Sequence, residues 1–187
     1  KMVPALLLFA LFNSSDVFLL LITKESIGSS NVTIMGATFN ADTITIAAYI
    51  FYNLIYALSS YPIGVMADRT GFRKMIASGL ILFALVYTGF AFNPSVSVIF
   101  LLFAVYGVYA AATEGVVKAW ITNLSHEQNT ATAIGFYTSA ESVCSLFASI
   151  IAGAIWTGIG STYTFLISGL VAFVVAIYFT LIFRNKQ

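Results

Sequence analysis

Long apolar runs separated by short polar connectors dominate the chain. A membrane-spanning helix needs roughly 20 mainly apolar residues. Runs of about this length follow one another at about 4–23, 43–67, 75–92, 95–120, 131–157 and 162–183. A membrane β-barrel would show segments of about ten residues with alternating polarity, and these runs are too long and too continuous for that. The pattern predicts an all-α membrane protein with six transmembrane helices.

Ionisable side chains stand inside three of the predicted spans. Asp16 lies near the middle of the first and Glu141 near the middle of the fifth, while Glu114 and Lys118 lie toward one end of the fourth. A charge at bilayer depth costs roughly 3 kcal/mol or more and usually faces protein or water. Asn13 and Asp16 also interrupt the first apolar run, and interrupted spans indicate the binding site of a transporter. The third and sixth spans carry no charge, so we expect them to face the lipid.

Polar and small side chains recur at helical spacing on the second and fifth spans. The rows are Tyr49, Asn53, Tyr56 and Ser60 on the second span and Glu141, Ser145, Ser149 and Gly153 on the fifth. Such rows either let helices pack closely and hydrogen-bond to each other or line a polar cavity. Glu114 and Lys118, four residues apart, either neutralise each other within one helix or face the same cavity.

The composition excludes several classes of protein. Of 187 residues, 60% are hydrophobic and 8% are charged, against about 25% charged in soluble domains. A net charge of +1 gives no reason to expect nucleic-acid binding, and Cys144, the single cysteine, has no disulfide partner within the chain. We find no cluster with metal-ligand spacing, no phosphate-binding loop and no arrangement around a nucleophile. We therefore expect neither an enzyme nor a bound cofactor or metal.

The basic residues predict the orientation, because lysine and arginine accumulate on the cytoplasmic side. If six helices alternate in direction, one side carries Lys1, Arg69, Arg73, Lys74, Arg184 and Lys186, and only Lys24 stands in a loop on the other. Both ends and the turn at 68–74 are then cytoplasmic. The chain starts without methionine and almost inside a span, so we expect it to be a piece of a longer protein.

The stretch YPIGVMADRTGFRKM, residues 61–75, holds the densest charge in the chain. Its residues Gly64, Asp68, Arg69, Gly71, Arg73 and Lys74 match the pattern G-x-x-x-D-R-x-G-R-[RK]-[RK], except that Phe72 replaces a basic residue. The pattern resembles the cytoplasmic loop motif of the major facilitator superfamily, which joins the second and third helices of each six-helix half. Segments 13–21 and 135–156 resemble the seventh and eleventh helices of bacterial members. The loop 124–135 departs from the family pattern, with Thr130 and Ala131 where Arg-Gly is usual.

The resemblance covers the whole chain and implies helices 7–12 of a twelve-helix transporter whose N-terminal half is absent. In this family the first and fourth helices of each half line the cavity, the second and fifth meet the other half, and the third and sixth face lipid. The implied function is secondary active transport of a small molecule by alternating access, with efflux as the direction, in the bacterial cytoplasmic (inner) membrane. The unpaired acids within the spans add the hypothesis that this efflux is coupled to protons. The implied partners are membrane lipids, the missing half, the substrate and protons.

Candidate residues follow from the spans and the resemblance together. Burial disfavours the charged form of a carboxyl group, so Asp16 and Glu141 are the candidate proton carriers. The other candidates for the substrate and coupling site are Asn13, Asn53, Glu114, Lys118, Tyr49 and Tyr56.

The loop motif is expected to latch the cytoplasmic side in one conformation, although a loop that only sets orientation is the alternative. Gly64 would allow close approach of a neighbouring helix, and Gly71 would allow a tight turn. Asp68 would face the N-terminus of the fifth helix, and Arg69 would reach a carboxylate such as Glu114.

Two other classes of protein remain open on the sequence alone. A six-helix channel would conduct single-channel currents, which a carrier does not. A non-transporting membrane domain that senses or scaffolds would use the polar residues only to hold its helices together.

Overall fold

The structure, a computed structural model, describes residues 2–28, 32–34, 37–92 and 94–181 and is a helical bundle. Its helices are α1 (Met2–Ala10), α2 (Val17–Ile27), α3 (Ala41–Thr70), α4 (Phe72–Ala91), α5 (Val96–Leu124), α6 (Thr130–Gly158) and α7 (Ser161–Leu181). A 3₁₀ turn at Glu127–Asn129 precedes α6. The prediction of an all-α membrane fold is confirmed.

Five helices of the described residues, α3 to α7, are long and apolar enough to cross a membrane. The first predicted span contains instead two short helices, α1 of 9 residues and α2 of 11 residues. They are separated at residues 11–16, where the polar sequence Asn13-Ser-Ser-Asp16 stands. Serine, asparagine and aspartate bind nearby backbone groups and so compete with helical hydrogen bonds. The Ser15 hydroxyl does this by accepting from the Val17 N–H at 3.4 Å.

The connector between α2 and α3 contains a small antiparallel hairpin, which was not predicted from the sequence. Its strands are β1 (Val32–Ile34) and β2 (Ala37–Phe39), with Val32 opposite Phe39. Helix α3 then starts at an asparagine cap, because the Asn40 Oδ1 accepts from the Thr43 N–H at 2.8 Å. Asparagine is among the preferred residues at this position.

Two tight turns depend on glycine. Gly71 separates α3 from α4 with φ of 96°, and Gly160 precedes α7 with φ of 125°. Residues other than glycine rarely adopt these backbone angles. The turn expected at Gly71 is therefore present.

Helix α4 lies at the centre of the packing, between α5 and α7, and α3 packs against α5. Large aromatic side chains fill this core, among them Phe83, Tyr87, Phe103 and Phe165. The expectation that the third and sixth spans mainly face lipid needs a correction, because α4 is the most enclosed of the long helices and α6 the least. The rest of the bundle covers the inner faces of α4 and α7, whereas α3 and α6 keep broad uncovered faces.

The outer surfaces of α4 and α7 are nevertheless mostly apolar. Leu85 on α4 and Leu170 on α7 are more than half exposed, at 61% and 63%. On the same side of α4, the Thr88 hydroxyl donates to the Ala84 carbonyl within its own helix at 2.7 Å. Lys1, Arg184 and Lys186, which served to predict the orientation, lie outside the described residues, as does the end of the sixth predicted span at 182–183.

Candidate functional site

The break between α1 and α2 places Asp16 against α5. Its Oδ1 accepts a hydrogen bond of 2.7 Å from the hydroxyl of Tyr106, a buried residue. Asp16 is the N-cap residue of α2, but its side chain makes no capping hydrogen bond. One turn earlier, the Asn13 Nδ2 donates to the Tyr109 hydroxyl at 3.4 Å. The polar interruption in the sequence is thus held by two tyrosines of one neighbouring helix.

A cavity of about 240 Å³ opens between α1, α4, α5 and α6. Its polar lining consists of Asn13, Tyr109, Thr113, Glu114, Lys118, Tyr137 and Glu141. Four candidates from the sequence, Asn13, Glu114, Lys118 and Glu141, are therefore brought together. Asp16 does not line this cavity and lies instead beside Tyr106.

Each of the three acids predicted within the spans is bound by a tyrosine hydroxyl. The Glu114 Oε2 accepts from Tyr56 at 3.0 Å, and the Glu141 Oε1 accepts from Tyr137, on its own helix, at 3.0 Å. No ion pair joins Glu114 to Lys118 within the described part of the chain. The two charges nevertheless interact electrostatically at longer range, so both possibilities for this pair stay open.

A row of tyrosines connects α3 to α5. The ring of Tyr52 lies 5.5 Å from Tyr49, 6.4 Å from Tyr56 and 5.0 Å from Tyr106, measured between centroids. Asn53, another candidate on α3, does not join this group. It is exposed, and its Nδ2 donates to the Tyr49 carbonyl of its own helix at 2.9 Å.

Helix α6 meets the break through its row of small residues. The Ser149 hydroxyl accepts from the Ser15 backbone N–H at 3.3 Å. One turn further along, Gly153 lies beside Phe18 of α2, and Trp156 contacts the same ring at a centroid distance of 5.7 Å. The polar and small row on this helix thus faces the interrupted span.

The loop motif lies at the end of a groove of about 310 Å³ between α3 and α5. Tyr56 and Asp68 both line it, and as residues twelve apart on one helix they are separated by about 18 Å. Asp68, Arg69 and Lys74 are exposed, and Arg73 is half-buried. The groove thus connects the motif to the tyrosine that binds Glu114.

Three expectations for the motif are not met by this structure. Among the described residues, no ion pair joins Arg69 to Glu114, and no hydrogen bond joins Asp68 to helix α6. A Cβ atom added at Gly64 would have no atom of a neighbouring helix within 4 Å. The expectation that Gly64 allows a close helix contact is therefore wrong here, because this part of α3 borders the open groove.

Three tyrosines that bind the candidate residues were not predicted from the sequence: Tyr106, Tyr109 and Tyr137. A local signal existed only for Tyr137, which precedes Glu141 by four residues and so shares its helix face. Tyr106 and Tyr109 lie on a different helix from Asp16 and Asn13, and only tertiary packing brings them together.

Residues 5–187 of the chain match the sequence model of the Major Facilitator Superfamily. The chain is also similar to an uncharacterized MFS-type transporter of Methanocaldococcus jannaschii, with 39% identity over 131 residues. The alignment covers 70% of the present chain and 33% of that protein, so the matched part spans about a third of its relative.

Proposed function

Because the chain belongs to the Major Facilitator Superfamily, we propose that it forms one six-helix half of a secondary active transporter. The transporter moves a small molecule by alternating access, in which this bundle rocks against a second half around a shared site. The observation that carries the proposal is the break at residues 11–16, with Asp16 bound to Tyr106 inside the bundle. A polar break in a spanning segment is costly unless it lines a cavity or is buried in protein.

The second half would cover the faces of α3 and α6. These helices expose large apolar side chains, including Leu54 and Leu58 on α3 and Leu146 and Ile150 on α6, each more than half exposed. The same helices carry Tyr56 and Glu141, which reach toward polar groups of the site. A surface that combines both kinds of residue suits a protein neighbour next to a cavity better than lipid alone.

Protons are the proposed coupling ion, with Asp16 and Glu141 as their carriers. A tyrosine hydroxyl both donates and accepts hydrogen bonds. Tyr106 and Tyr137 can therefore donate to the ionised carboxylates and accept from the protonated ones.

We propose efflux as the direction, the bacterial cytoplasmic membrane as the location and cytoplasmic ends for this segment. The loop motif around Asp68 would latch the cytoplasmic side.

The test is flux driven by an imposed pH gradient across proteoliposomes that contain the full-length protein. Ethidium and glucose serve as an amphipathic and a sugar probe, and pyranine reports the internal pH. Asp16→Asn and Glu141→Gln should each lower gradient-driven flux by about tenfold or more, equivalent to at least about 1.4 kcal/mol in the barrier.

Two exposed acids provide matched controls. Asp42→Asn and Glu127→Gln make the same chemical changes at exposed positions and should leave flux within about twofold of wild type, a change below about 0.5 kcal/mol. If both site variants keep the wild-type response to the pH gradient, proton coupling through these acids is wrong.

A further inference from the structure

We propose that the break between α1 and α2 binds a monovalent metal cation such as Na⁺, with the Asp16 carboxylate as its charged ligand. The inference deepens the proposed function and rests on it, because it gives a second ion to a carboxylate that otherwise carries only a proton. Na⁺ and the proton would then compete for one group.

Most of the backbone donors around the break are already used. The N–H groups of residues 11, 12 and 13 bond back into α1, and those of residues 18, 19 and 20 bond to the carbonyls of Ser15 and Asp16. The N–H groups of Ser15 and Val17 are bound by serine hydroxyls. An anion would need free donors at this place, and few are left.

Most of the backbone carbonyl groups at the break, unlike its N–H groups, lack hydrogen-bond partners among the described residues. No hydrogen bond from the described residues reaches the backbone carbonyls of residues 10–14. These carbonyls lie at the C-terminal end of α1, where the helix dipole is negative and favours a cation. Unwound carbonyls of this kind coordinate Na⁺ in transporters with broken helices.

Buried side-chain oxygens add to this set. The Oδ1 of Asn13, the hydroxyl of Ser14 and the hydroxyl of Tyr87 are buried without a hydrogen-bond partner among the described residues. Ser14 is only 5% exposed and Tyr87 is completely buried. The Tyr87 hydroxyl lies close to the hydroxyls of Ser14 and Tyr106, so these oxygens form one buried cluster, although the contacts of Tyr87 lack the geometry of a full hydrogen bond. A buried polar group without a partner is costly, and an ion shared by these oxygens would remove that cost.

The charge balance favours a single positive charge. Asp16 makes no ion pair within the described part of the chain. The titratable groups that face it are Tyr52 on α3, Tyr87 on α4, and Tyr106, Tyr109 and Glu114 on α5, none of which is a cation. No group of three or more His, Cys, Asp or Glu residues that could hold a metal occurs in the described ranges. One carboxylate among neutral oxygens therefore suits Na⁺ better than Ca²⁺ or Mg²⁺, which are bound through more carboxylate charge or through phosphates.

The experiment measures binding of radioactive Na⁺ to the purified full-length protein, with choline replacing Na⁺ at constant ionic strength. Wild type should bind Na⁺ saturably at about pH 8 and more weakly at about pH 5, because a coordinating carboxylate must be ionised. Asp16→Asn should abolish binding. Ser14→Ala and Tyr87→Phe, which each remove one oxygen, should raise the half-saturating Na⁺ concentration by about tenfold.

Ser26→Ala is the matched control. Ser26 also has a buried hydroxyl without a partner among the described residues, but it lies ten residues beyond Asp16 on α2, about 15 Å away. Na⁺ binding by the Ser26→Ala variant should equal that of wild type. Thermal unfolding without Na⁺ identifies any variant that fails to fold, and the inference then depends on the remaining ones.

Three results would overturn the inference: no saturable Na⁺ binding by wild type, equal binding by Ser14→Ala, Tyr87→Phe and Asp16→Asn, or an equal loss in Ser26→Ala. The absence of saturable Na⁺ binding by wild type would indicate that only water occupies the break. Binding needs no transport, so the two proposals can fail separately. Flux without Na⁺ binding removes the cation site alone, and Na⁺ binding without flux removes the transport function alone.

Discussion

Replacing Gly107 with alanine tests the contact that holds α3 against α5. A Cβ atom at this position would lie 2.9 Å from the Tyr52 carbonyl oxygen and 3.0 Å from the Cβ of Ile55. The carbonyl is part of the backbone of α3, so it cannot move aside as a flexible side chain would. The two helices must separate instead, and overpacking of this kind costs about 1–3 kcal/mol.

Gly115 on the same helix is the matched position. A Cβ atom added there has no atom of a neighbouring helix within 4 Å. Alanine favours a helix over glycine by about 1 kcal/mol, and this gain is common to both substitutions. It cancels in the comparison, so Gly107→Ala should be less stable than Gly115→Ala by about 1–3 kcal/mol.

The free energy of unfolding can be measured in mixed micelles by titration with a denaturing detergent, with helical circular dichroism as the signal. Gly115→Ala should match or exceed wild type, and Gly107→Ala should fall below Gly115→Ala. Equal stability of the two variants would show that α3 and α5 are not in tight contact at Tyr52, and the packing argument would be wrong.

Three further predictions concern individual side chains. Tyr106→Phe removes the hydrogen-bond donor to the Asp16 carboxylate at the break, and hydrogen bonds to charged groups contribute about 1.5–3 kcal/mol. Flux driven by a pH gradient should therefore fall by about tenfold. The control Tyr163→Phe, at an exposed position on α7, should not change this flux. Asp68→Lys should lower flux by about tenfold at an unchanged membrane level, and normal flux would contradict a latch at the loop motif. Lys24 and Asp42 form an ion pair of 2.7 Å with side chains 57% and 62% exposed, so a double-mutant cycle with alanine should give a coupling energy below about 1 kcal/mol.

The parts of the fold that could be predicted are those where the local sequence and the depth in the bilayer allow only a few structures. Asn13 and Asp16 inside an apolar run require either a break or a protein neighbour, and the structure has both. The glycine of the sequence Thr70-Gly71-Phe72 stands between two apolar runs, where a turn is needed, and its positive φ agrees with that. In both places, local sequence and bilayer depth leave little choice.

The parts that could not be predicted depend on which helix faces meet. Gly64 and Gly107 look alike in the sequence, since both are glycines within long helices. Only packing shows that Gly107 touches Tyr52 while Gly64 borders a groove. The position of α4 was misjudged for the same reason. A helix without charge suits lipid and a protein core equally well, and its aromatic residues Phe83 and Tyr87 lie in the core.

Helix α5 is the common support of the polar groups in this half. It supplies Tyr106 to Asp16, Tyr109 to Asn13, and Glu114 to the hydroxyl of Tyr56. Its tight contact with α3 at Gly107 leaves little room for these two helices to slide past each other. Among the described residues, in contrast, one hydrogen bond joins the break to α6, at 3.3 Å between residues 15 and 149. A change of charge at Asp16 acts first on Tyr106, so we expect α3 and α5 to respond as one body, with any rearrangement concentrated where the broken span meets α6.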